Sequence, residues 1–409
     1  MRILLYSYNY YPEPIGIAPL MTELAEGLVA RGHELRVVTA MPWYPQSQIY
    51  AGYRGRLYRT ETRNGVKIQR CYVRASTQRS FLNRALFELS FMTLSFVQAW
   101  RGWRPDVILL TVPGLPVGIP ASLLGWLYRC PVVLNLQDIL PDAAVHVGLL
   151  TSRTAIRIFS ALERYNYRMA TQIAVIATGF QENLLAKGVP ARKITIIPNW
   201  VDVDFIRPLP REENEFRREQ GLGDRFVVLY SGNIALTQGL ETVIDAAVLL
   251  RDHPEIAMVI VGEERALERL RAYCHERGAE NVVLRPFQPR EKLPDLLAAA
   301  DIGLVVQKQN VIAFNMPSKI QVLLASGRPI IASVPSAGTA AQAVRASGGG
   351  LVVPPEDPAA LAQAIRDLHG DRDRLQALGA ASRQHAIENY AFQTALDRYE
   401  ALFAKLLGR

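Results

Sequence analysis

Short, uninterrupted apolar runs alternate along this chain with segments whose apolar residues recur every three or four positions. Residues 3–6, 35–39, 107–111, 132–136, 173–176 and 194–197 read as buried strands. Between the first two, Leu20, Leu24 and Leu28 mark one face of a helix, and Gly32 follows as its stop. This order of strand, helix and strand predicts a parallel sheet. Pro208, Pro210 and the mixed charges of 211–219 interrupt the pattern as a linker with a surface helix. A second series follows at 226–230, 258–261, 282–284, 302–306, 330–332 and 350–353. Two Rossmann-like, doubly wound α/β domains are therefore expected, 1–203 and 204–389, facing a cleft at the C-terminal ends of their strands. The last segment, 390–409, carries Leu396, Tyr399, Leu402, Phe403 and Leu406 on one stripe and is expected to return to the first domain.

Composition agrees with two cores. The chain has 409 residues, of which 49% are hydrophobic and 21% charged, more than one core ordinarily serves. Its net charge of +8 favours anionic partners without saying which. Cys71, Cys130 and Cys274 lie far apart, which excludes a disulfide framework and a structural zinc site and fits a reducing cytoplasm. The N-terminus reads as a first strand and not as a signal peptide. Residues 107–128 carry no charge, yet Pro113, Gly114, Pro116, Gly118 and Pro120 break them into a buried strand and a buried helix rather than a membrane span.

Candidate chemistry sits where strands meet helices. Tyr230-Ser-Gly-Asn-Ile-Ala-Leu-Thr-Gln-Gly-Leu-Glu241 is a small-residue turn between a strand and a helix starting near Gly239. Backbone N–H groups and a helix dipole converge there, which suits a phosphate and equally an ordinary connection. Pro317-Ser318-Lys319 opens another helix with a hydroxyl and an ammonium, suited to a diphosphate unless Lys319 is a plain surface lysine. Phe287 and Gln288 can offer a ring and backbone groups to a nucleobase, or simply pack. In the first half, Glu13 and Gly16 occupy a Pro-rich turn after the first strand, and Asp138 and Asp142 follow another strand. The acids can bind sugar hydroxyls, take a proton, or cap helices.

The segment 53–104 is the charge anomaly, with Arg54, Arg56, Arg59, Arg63, Lys67, Arg70, Arg74, Arg79 and Arg84 against few acids. It leads into an aromatic helix bearing Phe81, Trp100 and, just beyond, Trp103. Of an interfacial membrane helix and a core helix with a solvated basic face, the first is favoured here, with Arg79, Phe81, Arg84, Trp100 and Trp103 at the membrane. No nucleic-acid-binding module accompanies the charge.

Taken in order, the Gly16 loop, Gln137-Asp138, Ile197-Pro-Asn-Trp-Val-Asp202, Gly232-Asn233 with Gln238-Gly-Leu-Glu241, and Pro317-Ser-Lys319 with Ala325-Ser-Gly-Arg-Pro329 resemble the GT-B glycosyltransferases of family 4. Within that family the chain is similar to enzymes of colanic acid and O-antigen assembly that transfer fucose or N-acetylfucosamine type sugars. The resemblance implies a GT-B fold and a nucleotide-sugar donor, UDP- or GDP-linked, held by the second domain at Gly232, Asn233, Gln238, Gly239, Phe287, Gln288, Pro317, Ser318 and Lys319. It implies an acceptor held by the first domain at Glu13, Gly16 and Asp138, with Asp138 and Lys319 as catalytic residues. Retention of anomeric configuration and no obligatory metal or cofactor are also implied.

Departures from the family pattern are specific. Asn233 and Gln238 stand where many members carry Arg and Lys, Phe314 and Val322 where many carry glutamates, and Gln137 where relatives carry His. Lys319 must then carry more of the diphosphate charge. The expected activity is transfer to a polyprenyl-diphosphate-linked saccharide by a peripheral enzyme on the inner face of the cytoplasmic membrane. A nucleotide-sugar 2-epimerase-like isomerase and a non-catalytic GT-B partner subunit are the competing readings.

Overall fold

The structure is a computed structural model, which describes every residue except Ile15, Arg79, Arg101, Gly102, Pro113, Val147, Leu149, Glu212, Glu213, Leu236 and Ile312, and only the backbone of Phe81, Leu82 and Val112. The chain divides into two compact units. One comprises residues 1–176, 180–199 and 396–409, and the other 177–179 and 200–395.

In the first unit the strands are β1 (Arg2–Tyr6), β2 (Glu34–Ala40), β3 (Tyr58–Arg63), β4 (Val66–Cys71), β5 (Val107–Val112), β6 (Val132–Leu136), β7 (Gln172–Val175) and β8 (Ile194–Ile196). They lie in the order β3-β4-β2-β1-β5-β6-β7-β8. All neighbours are parallel except β3 and β4, an antiparallel hairpin with Arg63 opposite Val66. Order reverses between β1 and β5, the position where such sheets receive ligands at their C-terminal strand ends.

The hairpin is absent from the sequence-based expectation, and it absorbs much of the charge anomaly. Arg70, on β4, is fully buried with its Nε 2.5 Å from a Glu61 carboxylate oxygen, while its other nitrogens donate to the Ala40 and Tyr11 carbonyls. Arg59 also pairs with Glu61, and Arg63 with Glu26 at 2.9 Å. A buried arginine on a strand reads as surface charge because its acid partner is supplied by a neighbouring strand.

The aromatic helix that follows, Phe81–Ala99, is a core helix. Ser80 caps it by accepting the Asn83 N–H at 3.1 Å. Phe87 and Phe91 pack on Tyr8 with ring centroids 5.6 and 4.3 Å away, and the Tyr6 hydroxyl bonds Ser95. Trp103 is likewise interior: its indole N–H donates to Glu34 at 2.6 Å and the Arg36 guanidinium covers its ring at 4.5 Å. Its expected membrane contact is thus corrected, because the ring is buried under Arg36 and its N–H is taken by Glu34 at the fold's edge. Arg84 pairs with Glu88 one turn along at 2.5 Å, and Trp100 is 58% exposed. Arg79 and the Phe81 side chain lie outside the described residues. Among the described residues no helix is long and apolar enough to cross a membrane.

The second unit holds β9 (Phe226–Ser231), β10 (Ile256–Gly262), β11 (Val282–Pro286), β12 (Ile302–Val306), β13 (Ile330–Ser333) and β14 (Gly350–Val353). Their order is β11-β10-β9-β12-β13-β14, all parallel, with the reversal between β9 and β12. Alternate residues feed cores on opposite faces: Val227, Leu229 and Val259 on one, Val228, Tyr230 and Met258 on the other. Burial on both faces explains why these strands read as continuous apolar runs. The helix expected on the surface, Glu215–Glu219, is anchored instead, since Phe216 and Arg217 are buried and Arg217 reaches Asp301 at 2.7 Å.

The final helix spans Phe392–Leu406. Residues up to 395 belong to the second unit, and from Leu396 onward the helix belongs to the first, where Arg31 contacts both Asp397 and Glu400 at 2.6 Å. The two units divide at 199/200 and 395/396, and from the second of these points Leu396, Tyr399 and Phe403 are buried.

Candidate functional site

In the second unit the C-terminal ends of β9, β10 and β11 enclose a pocket of about 590 Å³. Gly232, Asn233, Gln238, Phe287, Gln288, Pro317, Ser318 and Lys319, separated by up to 87 positions in the chain (319 minus 232), all line it. Gly239 does not: its left-handed φ of +62° turns it against the aliphatic stem of Lys308. It shapes the turn beside the pocket.

Two side-chain hydrogen bonds brace the turn after β9. The Tyr230 hydroxyl donates to the Asn233 carbonyl at 2.7 Å, and the Gln238 side chain accepts the Ala235 N–H at 2.8 Å. Gly232 has a φ of +143°, and a Cβ placed there would stand 3.1 Å from the Lys319 Nζ. Only glycine lets the ammonium lie against this backbone.

Lys319 is the first residue of the helix Lys319–Ala325. Its Nζ is shut from solvent, lacks a hydrogen-bond partner, and sits 3.5 Å from the centroid of the Tyr230 ring. Desolvation lowers its pKa to about 7. A buried cation with only a ring for company is poised to gain from an anion. Around it, Phe287 is 52% exposed and offers a free aromatic face. Arg290, which sequence reasoning did not single out, adds an exposed guanidinium to the wall. Val322 also lines the wall, so the position that carries a carboxylate in many family members is apolar. Phe314 is buried.

The first unit has its own pocket, about 640 Å³, at the C-terminal end of its sheet. Trp43, Phe87, Leu115, Pro116 and Leu140 make its apolar wall, with Arg74 and Arg84 beside them. Glu88 lines it as well, holding the Tyr8 hydroxyl, and burial pushes its carboxyl up to about 8.

None of the expected acceptor residues lines this pocket. Glu13 is buried, with its carboxylate accepting the Trp43 and Tyr44 N–H groups at 2.8 and 2.9 Å and the Asn9 amide at 2.7 Å. It therefore positions Trp43, and direct acceptor contact is corrected to that supporting role. Burial nevertheless raises its pKa against these bonds. Gly16 is exposed, in a left-handed turn with φ +73° beside Tyr44. Asp138 stands at the end of β6, open to solvent on one side, with its pKa raised by desolvation from the other. Asp142 is bound by Lys187 at 2.9 Å. Gln137 joins Asn135 and Asn199 in an amide network at 2.9 and 2.8 Å.

Two parallel-sheet α/β units, each with a pocket at its strand ends and one with a desolvated cation, define a GT-B glycosyltransferase, and the chain belongs to that family. Residues 16–200 match the glycosyl transferase 4-like domain, and 212–385 match glycosyl transferases group 1. It is 36% identical over 334 residues to the colanic acid biosynthesis glycosyl transferase WcaI of Escherichia coli (strain K12), covering 80% of this chain and 82% of that one. It is 25% identical over 308 residues to the glycosyltransferase WbjE of Pseudomonas aeruginosa, covering 75% and 74%. The crystal structure of Anabaena Alr3699/HepE in complex with UDP and glucose superposes with a TM-score of 0.70 over 99% of this chain and 100% of that one, at 17% identity.

Proposed function

We propose that the enzyme transfers a sugar from a UDP- or GDP-sugar to a polyprenyl-diphosphate-linked saccharide in exopolysaccharide or O-antigen assembly. The observation that carries this reading is Lys319, whose solvent-shielded, unpartnered ammonium faces the second-unit pocket between Gly232 and Tyr230. A diphosphate there gives the ammonium the partner it lacks, and the interaction strengthens as the leaving group gains charge. Phe287 stacks on the base, while Asn233, Gln288 and Ser318 meet polar groups of the nucleotide sugar. The relationship to a colanic acid transferase supports the pathway class.

Lys319 and Arg290 supply positive charge that a divalent ion would otherwise bring, so catalysis is proposed to need no metal; retention of anomeric configuration is proposed from the family resemblance alone. The first-unit pocket suits the acceptor: its apolar wall accommodates an isoprenoid-like stem and Arg74 and Arg84 its phosphate. Asp138 is proposed to hold an acceptor hydroxyl. Such an acceptor places the enzyme at the inner face of the cytoplasmic membrane, as a peripheral protein.

The test begins with thermal shift against UDP-, GDP- and dTDP-sugars, followed by transfer to a polyprenyl-diphosphate-linked saccharide in the presence of EDTA. A selective shift and a lengthened lipid-linked product are expected. Conversion of the donor with no acceptor present would establish the epimerase instead. Binding without turnover would overturn the catalytic assignment.

A further inference from the structure

The helix expected to be buried, Gly118–Tyr128, buries only one face. It turns Leu123, Trp126 and Leu127 outward, and Trp126 is 79% exposed, the most of any large apolar side chain described. The expected burial holds for the inner face, where Ala121 and Leu124 are shut from solvent and Gly118, Ser122 and Gly125 lie against Asn166, Tyr165 and Val132. On one side lies the helix Phe81–Ala99, joined by the Tyr128 hydroxyl donating to the Ala99 carbonyl at 3.3 Å. Its outward stripe, Leu89, Thr93, Val97 and then Trp100, is uncharged and exposed.

On the other side lies the helix Arg153–Met169, joined through Ser122 and Tyr165 at 2.6 Å. Its outward stripe is Arg153, Arg157, Ala161, Arg164 and Arg168, all exposed. Among the described residues none of these arginines pairs with an acid. Glu163 of the same helix points inward to Lys187 at 2.5 Å and Tyr167 at 2.9 Å. An uncharged aromatic face thus runs beside an arginine row with no acid to neutralise it. Isolated exposed apolar residues need no explanation, but exposed tryptophans on adjoining helices with a uniform cationic border do.

We infer that this three-helix face is a docking surface for an anionic phospholipid bilayer, with Trp100, Trp126 and Leu127 entering the headgroup boundary and Arg157 and Arg164 on lipid phosphates. Tryptophan settles at that boundary because its ring is apolar and its N–H polar, and each basic side chain near an anionic leaflet adds attraction. Charge complementarity selects a bilayer over a second copy of this chain, because lipid phosphates neutralise the arginine row whereas an identical face brings no acid to it. The inference rests on the lipid-linked acceptor reading only for its purpose, since Phe87 and Phe159, from two of these same helices, line the first-unit pocket.

Co-sedimentation of the full chain with phosphatidylcholine vesicles, with and without phosphatidylglycerol, tests it. Binding to the anionic vesicles is expected, falling steeply when salt shortens the screening length to about 3 Å. Replacing Arg157→Gln together with Arg164→Gln should weaken it by about thirty-fold. Trp126→Ser should weaken binding and reduce the blue shift of tryptophan fluorescence, the remainder coming from Trp100. The variants should retain the melting temperature and nucleotide-sugar binding, which involves the other unit. Equal affinity for neutral and anionic vesicles, or variants that bind as well as the parent, would overturn the inference. So would a dimer dispersed by Trp126→Ser, which would assign the face to a second copy. Vesicle binding without sugar transfer would leave the surface standing and sink the acceptor reading alone.

Discussion

The Lys319 ammonium lies 3.5 Å from the centroid of the Tyr230 ring, without a hydrogen-bond partner. The ring lowers the cost of holding a charge there while leaving its donors free for a ligand. Replacing Lys319→Ala should reduce turnover by more than about tenfold, because the departing diphosphate loses its nearest buried cation. Release of nucleoside diphosphate measures this, and unchanged kinetics would remove Lys319 from the mechanism.

Proton linkage gives a separate signature. The folded-state pKa of Lys319 is about 7 against 10.5 for an ordinary lysine, so between those values the unfolded chain binds the extra proton and this group's contribution makes stability rise with pH. A bound diphosphate favours the charged form and draws the pKa back up. Nucleotide binding at pH 8 should therefore take up a proton and weaken as pH rises further, by at most about tenfold per unit. Calorimetry in buffers of different ionisation heat reads the uptake, and Lys319→Met should eliminate it.

Arg290 is exposed on the same pocket wall, its guanidinium 5.8 Å from the centroid of the Phe205 ring. Arg290→Ala should raise KM for the donor several-fold, up to about tenfold, with little change in kcat, the pattern of an interaction equally strong in ground and transition states. A matching fall in kcat would mean that Arg290 acts on the leaving group as well.

Arg70 is buried and depends on Glu61, whose oxygen lies 2.5 Å away. Glu61→Leu leaves that guanidinium uncompensated and should cost about 3 kcal/mol. Denaturant unfolding measures the loss. Replacing the pair together by Arg70→Met and Glu61→Leu should recover most of it, and a double variant no better than the single one would show that the ion pair is not the cause.

The alternation of apolar runs with amphipathic helices was enough to specify two parallel-sheet units, because a strand buried on both faces must be apolar throughout and its period cannot be mistaken over a whole domain. Pocket residues on one chain segment, Gly232 with Asn233 and Pro317 with Lys319, were legible for the same local reason: small residues and a cation at a strand-to-helix turn. What the sequence alone could not decide was every assignment that depended on a distant partner. Arg70 and Trp103 looked like surface groups until Glu61 and Glu34 appeared beside them. Glu13 looked like a free acid until Trp43 and Tyr44 turned their N–H groups on it. Trp126 and the arginines of 153–168 passed unremarked because exposure is a property of how helices pack side by side, and hydropathy along the chain records only what a residue is, not which neighbour covers it.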